Sequence, residues 1–286
     1  MDSAMAQWAS QIEFVRTRRI PSQDALRQEG TRKSHRHALY EVYRFVSGDV
    51  EYFIENRMHE LLPGHLFVIR SDEFHNLSAK SSALYEKVAV RFPRELAKEL
   101  SAFGTDLLAC FDNRPRGADN KVVPDARASH EIDGILSRME ALFTDAGESS
   151  LALRAACLTE LLVRINRAHQ ATDRDMTRKP AVFDKLSPVL SYIDEHLEGD
   201  LSLKTISRQF FLSVSVLCML FRETTGVGMH EYITFRRVSK ARELLLRGAS
   251  VGEAGISCGF NDYANFIRTF RKVTGMPPGQ YRNQAR

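Results

Sequence analysis

Apolar and polar positions change their period along this chain. Residues 37–54, 61–69 and 83–92 alternate and are rich in Val, Ile, Phe and Tyr, with Gly48, Pro63-Gly64 and Pro93 as breaks. A period of two with such punctuation predicts strands of roughly five to eight residues. Further on the period lengthens. Ile132, Ile135, Leu136, Met139 and Leu142/Phe143 predict a helix over 129–144, and Leu151, Leu153, Ala156, Leu158, Leu161, Leu162 and Ile165 a second over 150–169. The stretch from Ala171 to Pro180 is polar and has a linker's composition. Everything after it reads as helical. The expected fold is α+β: a β-rich domain over 1–125, a helical appendage over 126–170, a linker over 171–182 and an all-α domain over 183–286.

The helical tail repeats itself. Gly226 and Gly275 each follow a Thr, with Phe221 and Phe270 five residues before them. Leu217 matches Phe266 and Arg222 matches Arg271 at an offset of 49, while Leu203, Ile206, Phe210 and Leu212 match Val251, Ala254, Cys258 and Phe260 at 48. The one-residue change falls in a turn, so each unit reads as helix, turn, helix: 203–210 with 214–224, and 251–258 with 262–273. Ser213, and Asn261 or Asp262, suit the N-caps of the second helices, and Gly259 suits the turn in unit two. Gly252 and Gly255 weaken the first helix of unit two, and the pattern gives no reason for them. A long amphipathic helix over 229–246 joins the units. It is expected to bury Tyr232, Ile233, Val238, Ala241, Leu244 and Leu245 and to present Arg236, Arg237, Lys240 and Arg242.

Charge sharpens this picture. The chain carries 40 Lys and Arg against 36 Asp and Glu, a net +4. From Leu201 onward the balance is 13 to 5, or +8, which leaves −4 for the first 200 residues. A basic helical module behind a mildly acidic body points to a polyanion as its partner. Paired helices of this kind lay the second helix in the major groove of double-stranded DNA while nearby cations hold phosphates. The longest uncharged apolar stretch, Phe210 to Phe221, falls short of the roughly 18 residues of a membrane span. The N-terminus lacks the basic and apolar regions of a secretory leader. Cys110, Cys157, Cys218 and Cys258 show no close pairing, so a reducing, cytoplasmic location is expected rather than disulfides or a zinc knuckle.

Several stretches between Leu186 and Arg282 resemble the DNA-binding domain of the AraC/XylS family of transcription regulators. They include Ser191 to His196, Leu201-Ser202-Leu203, Phe221-Arg222-Glu223-Thr224-Thr225-Gly226, Arg237 to Leu245, Cys258-Gly259-Phe260-Asn261-Asp262-Tyr263 and Phe270 to Arg282. The resemblance implies two helix-turn-helix units entering successive major grooves on one face of the duplex, and activation as the commoner outcome. It places Ser213, Ser215, Cys218, Met219 and Arg222 of unit one, and Asp262, Tyr263, Asn265, Arg268 and Arg271 of unit two, at the DNA. Arg236, Arg237, Lys240 and Lys272 are the candidate phosphate contacts. Unit one departs from the family's habit, since Val214, Ser215, Cys218 and Met219 replace the usual polar or basic side chains. These residues can touch a thymine methyl but cannot make the bidentate contact of Arg to guanine, so unit two is expected to supply most direct readout.

The front of the chain is similar to the cupin barrel that many members of this family carry. Gly30, His35, His37, Glu41 and Gly48 nearly reproduce the first cupin motif. The second is degraded to Pro63-Gly64 and His75, with Arg70 and Asp72 where Pro and Gly are usual. His35, His37, Glu41 and Tyr43 share strand parity and so one face. Together with Arg70 and His75 they are the candidate ligand pocket, among the aromatics Tyr40, Tyr43, Phe45, Tyr52 and Phe67. Either His35, His37, Glu41 and His75 ligate a divalent metal, or they orient a small polar effector, such as a sugar, by hydrogen bonds. Leu151, Leu158, Leu161, Leu162 and Ile165 either face a homodimer partner or cover the barrel. The leading expectation is a ligand-responsive DNA-binding regulator and not an enzyme, meeting RNA polymerase if it activates. The alternatives are a metal-dependent cupin enzyme with a DNA-binding tail and a regulator controlled by a partner protein.

Overall fold

The computed structural model describes residues 3–20, 39–55, 57–71, 73–101, 104–144, 150–172, 181–225 and 227–284. His35 and His37 lie outside them. Among the described residues the β-rich part has helix α1 (Ser3–Ala9) and eight strands in two antiparallel sheets. One runs β1 (Glu13–Arg19), β7 (Tyr85–Pro93), β2 (Leu39–Ser47), β5 (Leu66–Ile69), β8 (Lys121–Val122) in spatial order. The other runs β4 (Arg57–Glu60), β3 (Val50–Ile54), β6 (His75–Ala79). Strand alternation sends the even residues of β2 to one face and the odd to the other. Tyr43, Phe45, Phe67, Ile69 and Tyr85 meet Val50, Tyr52 and Ile54 between the sheets. On the other face Tyr40, Val42, Val68, Val88, Val90 and Phe92 form a second core. Tyr40, expected among the pocket aromatics, therefore faces away from it: its hydroxyl donates to Asp112 Oδ1 at 2.9 Å and its ring packs on Phe92 and Phe111.

Short helices α2 (Arg94–Leu100) and α3 (Ala109–Asp112) follow β7, and two longer ones, α4 (Ala126–Thr144) and α5 (Ser150–Ala171), cover the second core. Leu158, Leu161, Leu162 and Ile165 are fully buried there, beside Ile132, Ile135, Leu136 and Met139. The structure thus uses these leucines to cover the five-stranded sheet; Leu153, on another face of α5, is 50% exposed. The strands β1, β4, β6 and β8 escape the sequence pattern because they are short or carry charged residues on exposed faces.

The C-terminal part is α6 (Ala181–Glu195), α7 (Leu203–Gln209), α8 (Val214–Thr225), α9 (Met229–Leu246), α10 (Val251–Ile256), α11 (Tyr263–Thr274) and α12 (Pro278–Gln284). Helix α9 serves two cores. Its first half packs Tyr232, Ile233 and Phe235 with Leu186, Val189, Ile193, Ile206, Leu217 and Phe221; its second half packs Val238, Ala241 and Leu245 with Ala254, Cys258, Phe266 and Phe270. The repeat is reproduced down to single bonds: Thr225 Oγ1 donates to Phe221 O at 2.8 Å, and Thr274 Oγ1 to Phe270 O at 2.9 Å.

The turn inside each unit needs a left-handed residue. Gly259 supplies it in unit two at φ +77°, packed against the Leu197 carbonyl; Phe211, 48 residues earlier, supplies it in unit one at φ +54° with 96% of its surface exposed. A non-glycine residue there carries a steric cost of roughly 1–2 kcal/mol.

Gly255 now has a physical account. A β-carbon there would stand 2.9 Å from Phe266 Cδ1, so glycine lets the ring of α11 lie directly on α10. Gly252 has open space. Gly255→Ala is expected to lower stability by about 1–3 kcal/mol through overpacking, and Gly252→Ala to raise it by up to about 1 kcal/mol through helix propensity, both read by urea denaturation.

Candidate functional site

Two recognition helices carry the candidate DNA residues. Ser213 caps α8, accepting from Val216 N at 3.2 Å, and Asp262 caps α11, accepting from Asn265 N. With its carboxylate engaged by the helix start, Asp262 positions α11. Ser215, Met219 and Arg222 are exposed and Cys218 is half-buried; Tyr263, Asn265, Arg268, Arg271 and Lys272 are all exposed. Lys240 is half-exposed, its Nζ 3.8 Å from Glu198.

The other two expected phosphate contacts go elsewhere. Arg237 donates from Nε to Leu197 O at 2.8 Å and from Nη2 to Gly199 O at 2.9 Å, closing the loop after α6. Arg236 is only 7% exposed. Its guanidinium pairs with Glu55 of the β-domain and stands 2.9 Å from Asp194 Oδ1 of α6. In this arrangement Arg236 is withdrawn from solvent, while Arg237 is half-buried with its guanidinium committed to backbone carbonyls. A sequence signal existed for Arg236: it follows the buried Tyr232 by four residues, which puts both on one side of α9.

Around Arg236 the β-domain and the DNA-binding domain are joined. Glu55, at the end of β3 with φ +55°, also accepts from Arg116 Nε at 3.1 Å and from the Phe74 backbone N–H at 2.6 Å. Arg116 reaches Glu243 of α9 at 3.7 Å, and Arg242 Nη2 donates to Ser71 Oγ at 2.9 Å. The Phe74 ring enters the core of unit one, with ring centroids 5.0 Å from Tyr232, 5.7 Å from Phe235 and 5.9 Å from Phe53. Pattern reading missed Glu55, Phe74 and Arg116, because nothing local marks a residue whose partners include side chains in the other domain, more than a hundred positions away.

The space between the sheets holds the other candidates. Glu41 is buried, accepts from Arg91 Nε at 2.7 Å and lies 3.8 Å from His75 Nε2. Tyr43 Oη and Tyr85 Oη hydrogen-bond at 2.8 Å, and burial pushes the Tyr43 phenol well above its ordinary range. His59, opposite Tyr52 in the sheet, joins this interior with its ring against Phe67; its buried Nε2 has no hydrogen-bond partner among the described residues. The sequence reading had not singled it out. Desolvation, aided by Lys121 and Arg57, lowers its pKa to about 3, so the ring is neutral. Arg70 is half-buried at the rim, where its backbone N–H donates to Glu73 Oε2 at 2.9 Å. The described part of the expected metal set fits a cation poorly, since a guanidinium already occupies the Glu41 carboxylate. Among the described residues no group of three or more His, Cys, Asp or Glu is placed to hold a metal ion.

Residues 73 to 75 connect these regions. Glu73 is fully buried on Arg114 at 2.6 Å. Burial alone would raise its pKa, but the Arg114 hydrogen bonds and charge outweigh that and hold it at about 2. Phe74 points into the DNA-binding domain, and His75 points between the sheets with Nδ1 3.0 Å from Glu73 O.

A two-sheet domain enclosing polar groups, joined to two repeated helix-turn-helix units with exposed basic recognition residues, defines a two-domain DNA-binding regulator. Family models agree: one described as an AraC-like ligand binding domain matches residues 21–162, and one described as a helix-turn-helix domain matches 206–284. The chain belongs to the AraC family of transcriptional regulators. It is 22% identical over 252 residues to the HTH-type transcriptional activator RhaR of Mannheimia succiniciproducens, covering 87% of each chain. It is 34% identical over 110 residues to the uncharacterized HTH-type transcriptional regulator YijO of Escherichia coli, covering 38% of each. An uncharacterized HTH-type transcriptional regulator of Staphylococcus aureus is 22% identical over 83% of this chain, which spans only 30% of that protein. A solved AraC-type regulator from Chromobacterium violaceum is 28% identical, covering 36% of this chain and 92% of that one, with a TM-score of 0.34. No single helix among the described residues is long and apolar enough to cross a membrane.

The buried groups between the sheets make stability acid-sensitive. Burial lowers the pKa of His59 to about 3 and of His65 to about 4, whereas in the unfolded chain both protonate near 6.5. The unfolded state therefore binds more protons below pH 6.5, and stability falls as pH drops from there to about 4, by roughly 1 kcal/mol per pH unit for each ring. Glu73 adds a further loss below about pH 4.5. Urea denaturation at pH 7, 5.5 and 4.5 should show this slope, and His59→Leu should make it shallower; an unchanged slope would count against a neutral buried ring.

Proposed function

We propose that this regulator responds to a small polar effector held between the two sheets and passes the response to its DNA-binding domain through Glu55, Phe74 and Arg236. The observation that supports it most is the run Glu73-Phe74-His75. One rigid segment places a ring in the core of unit one and an imidazole in the sensor interior, so a ligand that moves His75 also moves Phe74. For such a ligand to act, it must bind the two arrangements with different affinity. Neutral His59 together with His75, Glu41 and the tyrosine hydroxyls suits hydroxyl-rich molecules such as sugars. The relatives named as activators favour activation, hence contact with RNA polymerase, and two copies on paired half-sites would complete the assembly.

On this reading the cations left to the duplex are Arg222, Lys240, Arg268, Arg271 and Lys272. Affinity for duplex DNA should then fall by roughly two to three orders of magnitude between 50 and 200 mM salt, and deletion of residues 181–286 should abolish it. A salt-insensitive association would sink the DNA-binding role. The junction is tested separately. Arg236→Ala removes the cation that Glu55 and Asp194 share and leaves Glu55 on Arg116 alone, a loss of about 1.5–3 kcal/mol for a hydrogen bond to a charged group. Calorimetry of the variant should resolve the β-domain and the DNA-binding domain as separate transitions that coincide in the parent, and Phe74→Ala should blunt any effector-dependent change in DNA affinity.

A further inference from the structure

The two recognition helices are structurally equivalent but chemically unlike. The offset of 49 that aligns the buried Leu217 with Phe266, Phe221 with Phe270 and the Thr225 bonds with those of Thr274 also aligns the outward positions. Arg222 and Arg271 are identical and exposed in both units, so each helix carries the same cation in its last turns. Near the start of the helices the match ends. Ser215, Val216 and Met219 of α8 stand where α11 has Ala264, Asn265 and Arg268. Met219 is 51% exposed, and Val216, three residues before it on the same face of the helix, is also exposed, so the chain itself leaves this apolar stripe uncovered. The preceding turn adds the exposed Phe211 ring in its left-handed conformation.

We propose that the two helices read different base chemistry: α8 recognises thymine 5-methyl groups through Met219, flanked by Val216, while α11 takes guanine acceptors through Arg268. This rests on the DNA-binding reading above. The one methyl group on the major-groove edge of the bases is that of thymine, whereas guanine O6 and N7 accept two hydrogen bonds from one guanidinium. A thioether cannot donate to either acceptor, so Met219 discriminates only by burying a methyl. It is unbranched and adapts its shape to what it covers. With Arg222 and Arg271 alike in both helices, the unlike residues are the ones left to tell the two halves of a site apart. The binding site of one chain is therefore asymmetric, with a thymine-bearing segment under α8 and a guanine-bearing segment under α11.

The full chain is used to select duplexes from a randomised library, and each thymine of the selected duplex is replaced singly by deoxyuridine, which removes only the methyl. Binding is read by fluorescence anisotropy at fixed salt. Affinity should fall about four-fold per lost methyl, the worth of one buried carbon, at thymines confined to one half of the site. Met219→Ala should abolish that sensitivity, and Met219→Arg should shift the position toward guanine. Replacing guanine by 7-deazaguanine should weaken binding only in the other half, unchanged by Met219→Ala and lost in Arg268→Ala. Uracil duplexes that bind as well as thymine ones overturn the proposal, as do losses that persist in Met219→Ala; either result would leave the apolar stripe to a protein partner. Failure to enrich any duplex would be a different result, removing the DNA-binding reading and this assignment with it.

Discussion

Buried carboxylates met by guanidinium groups from distant parts of the chain hold this molecule in its shape. Glu73 lies on Arg114, Glu41 on Arg91 and Glu55 on Arg236, and each of these glutamates is buried. An ionised carboxylate in such surroundings is tolerable only with a cation and further donors close by, and removing one partner costs far more than the pair contributes net. Glu73 meets that requirement most fully: both its oxygens take bonds from Arg114, and Asn120 and the Gly117 N–H add to them. Glu73 is thereby fixed, and with it the positions of Phe74 and His75 on either side of the sheet.

That anchoring gives the two domains a common element instead of a mere tether. The Glu55 side chain accepts both from the Phe74 backbone and from Arg116, so the end of β3 and the start of β6 present one surface to α9. Because α9 contributes to the cores of both helix-turn-helix units, whatever holds α9 bears on the relation between the two recognition helices. The basic residues of α9 illustrate the division: Arg236 and Arg242 bond to the β-domain, Arg237 closes a loop of its own domain, and Lys240 keeps a half-exposed ammonium.

The duplicated helical hairpin was legible in the sequence because everything that defines it is local. Caps, turn residues and apolar spacing repeat within about fifty positions, and the helices follow them to within a residue or two. The strand parity of Glu41 and Tyr43 was legible for the same reason. What spacing left open was which distant group inside the protein a given side chain would meet. The leucines of α5 fit a subunit interface or a sheet equally well by spacing, and Arg236 and Arg237 fit a phosphate as well as a carboxylate or a carbonyl. Tyr40 was counted with the pocket on its residue type although its even parity set it on the opposite face.

The sequence alone determined the longer strands, the two helices after them, the duplicated helical hairpin and the excess of positive charge at the C-terminus, since each is written in composition or in periodicity over a few turns of chain. The tertiary structure alone decided which cations of α9 are engaged within the protein, where Phe74 goes, and that Gly255 admits the ring of Phe266. Those outcomes depend on which desolvated group finds a neighbour of complementary charge or shape, and such neighbours stand as far as 181 positions apart along the chain.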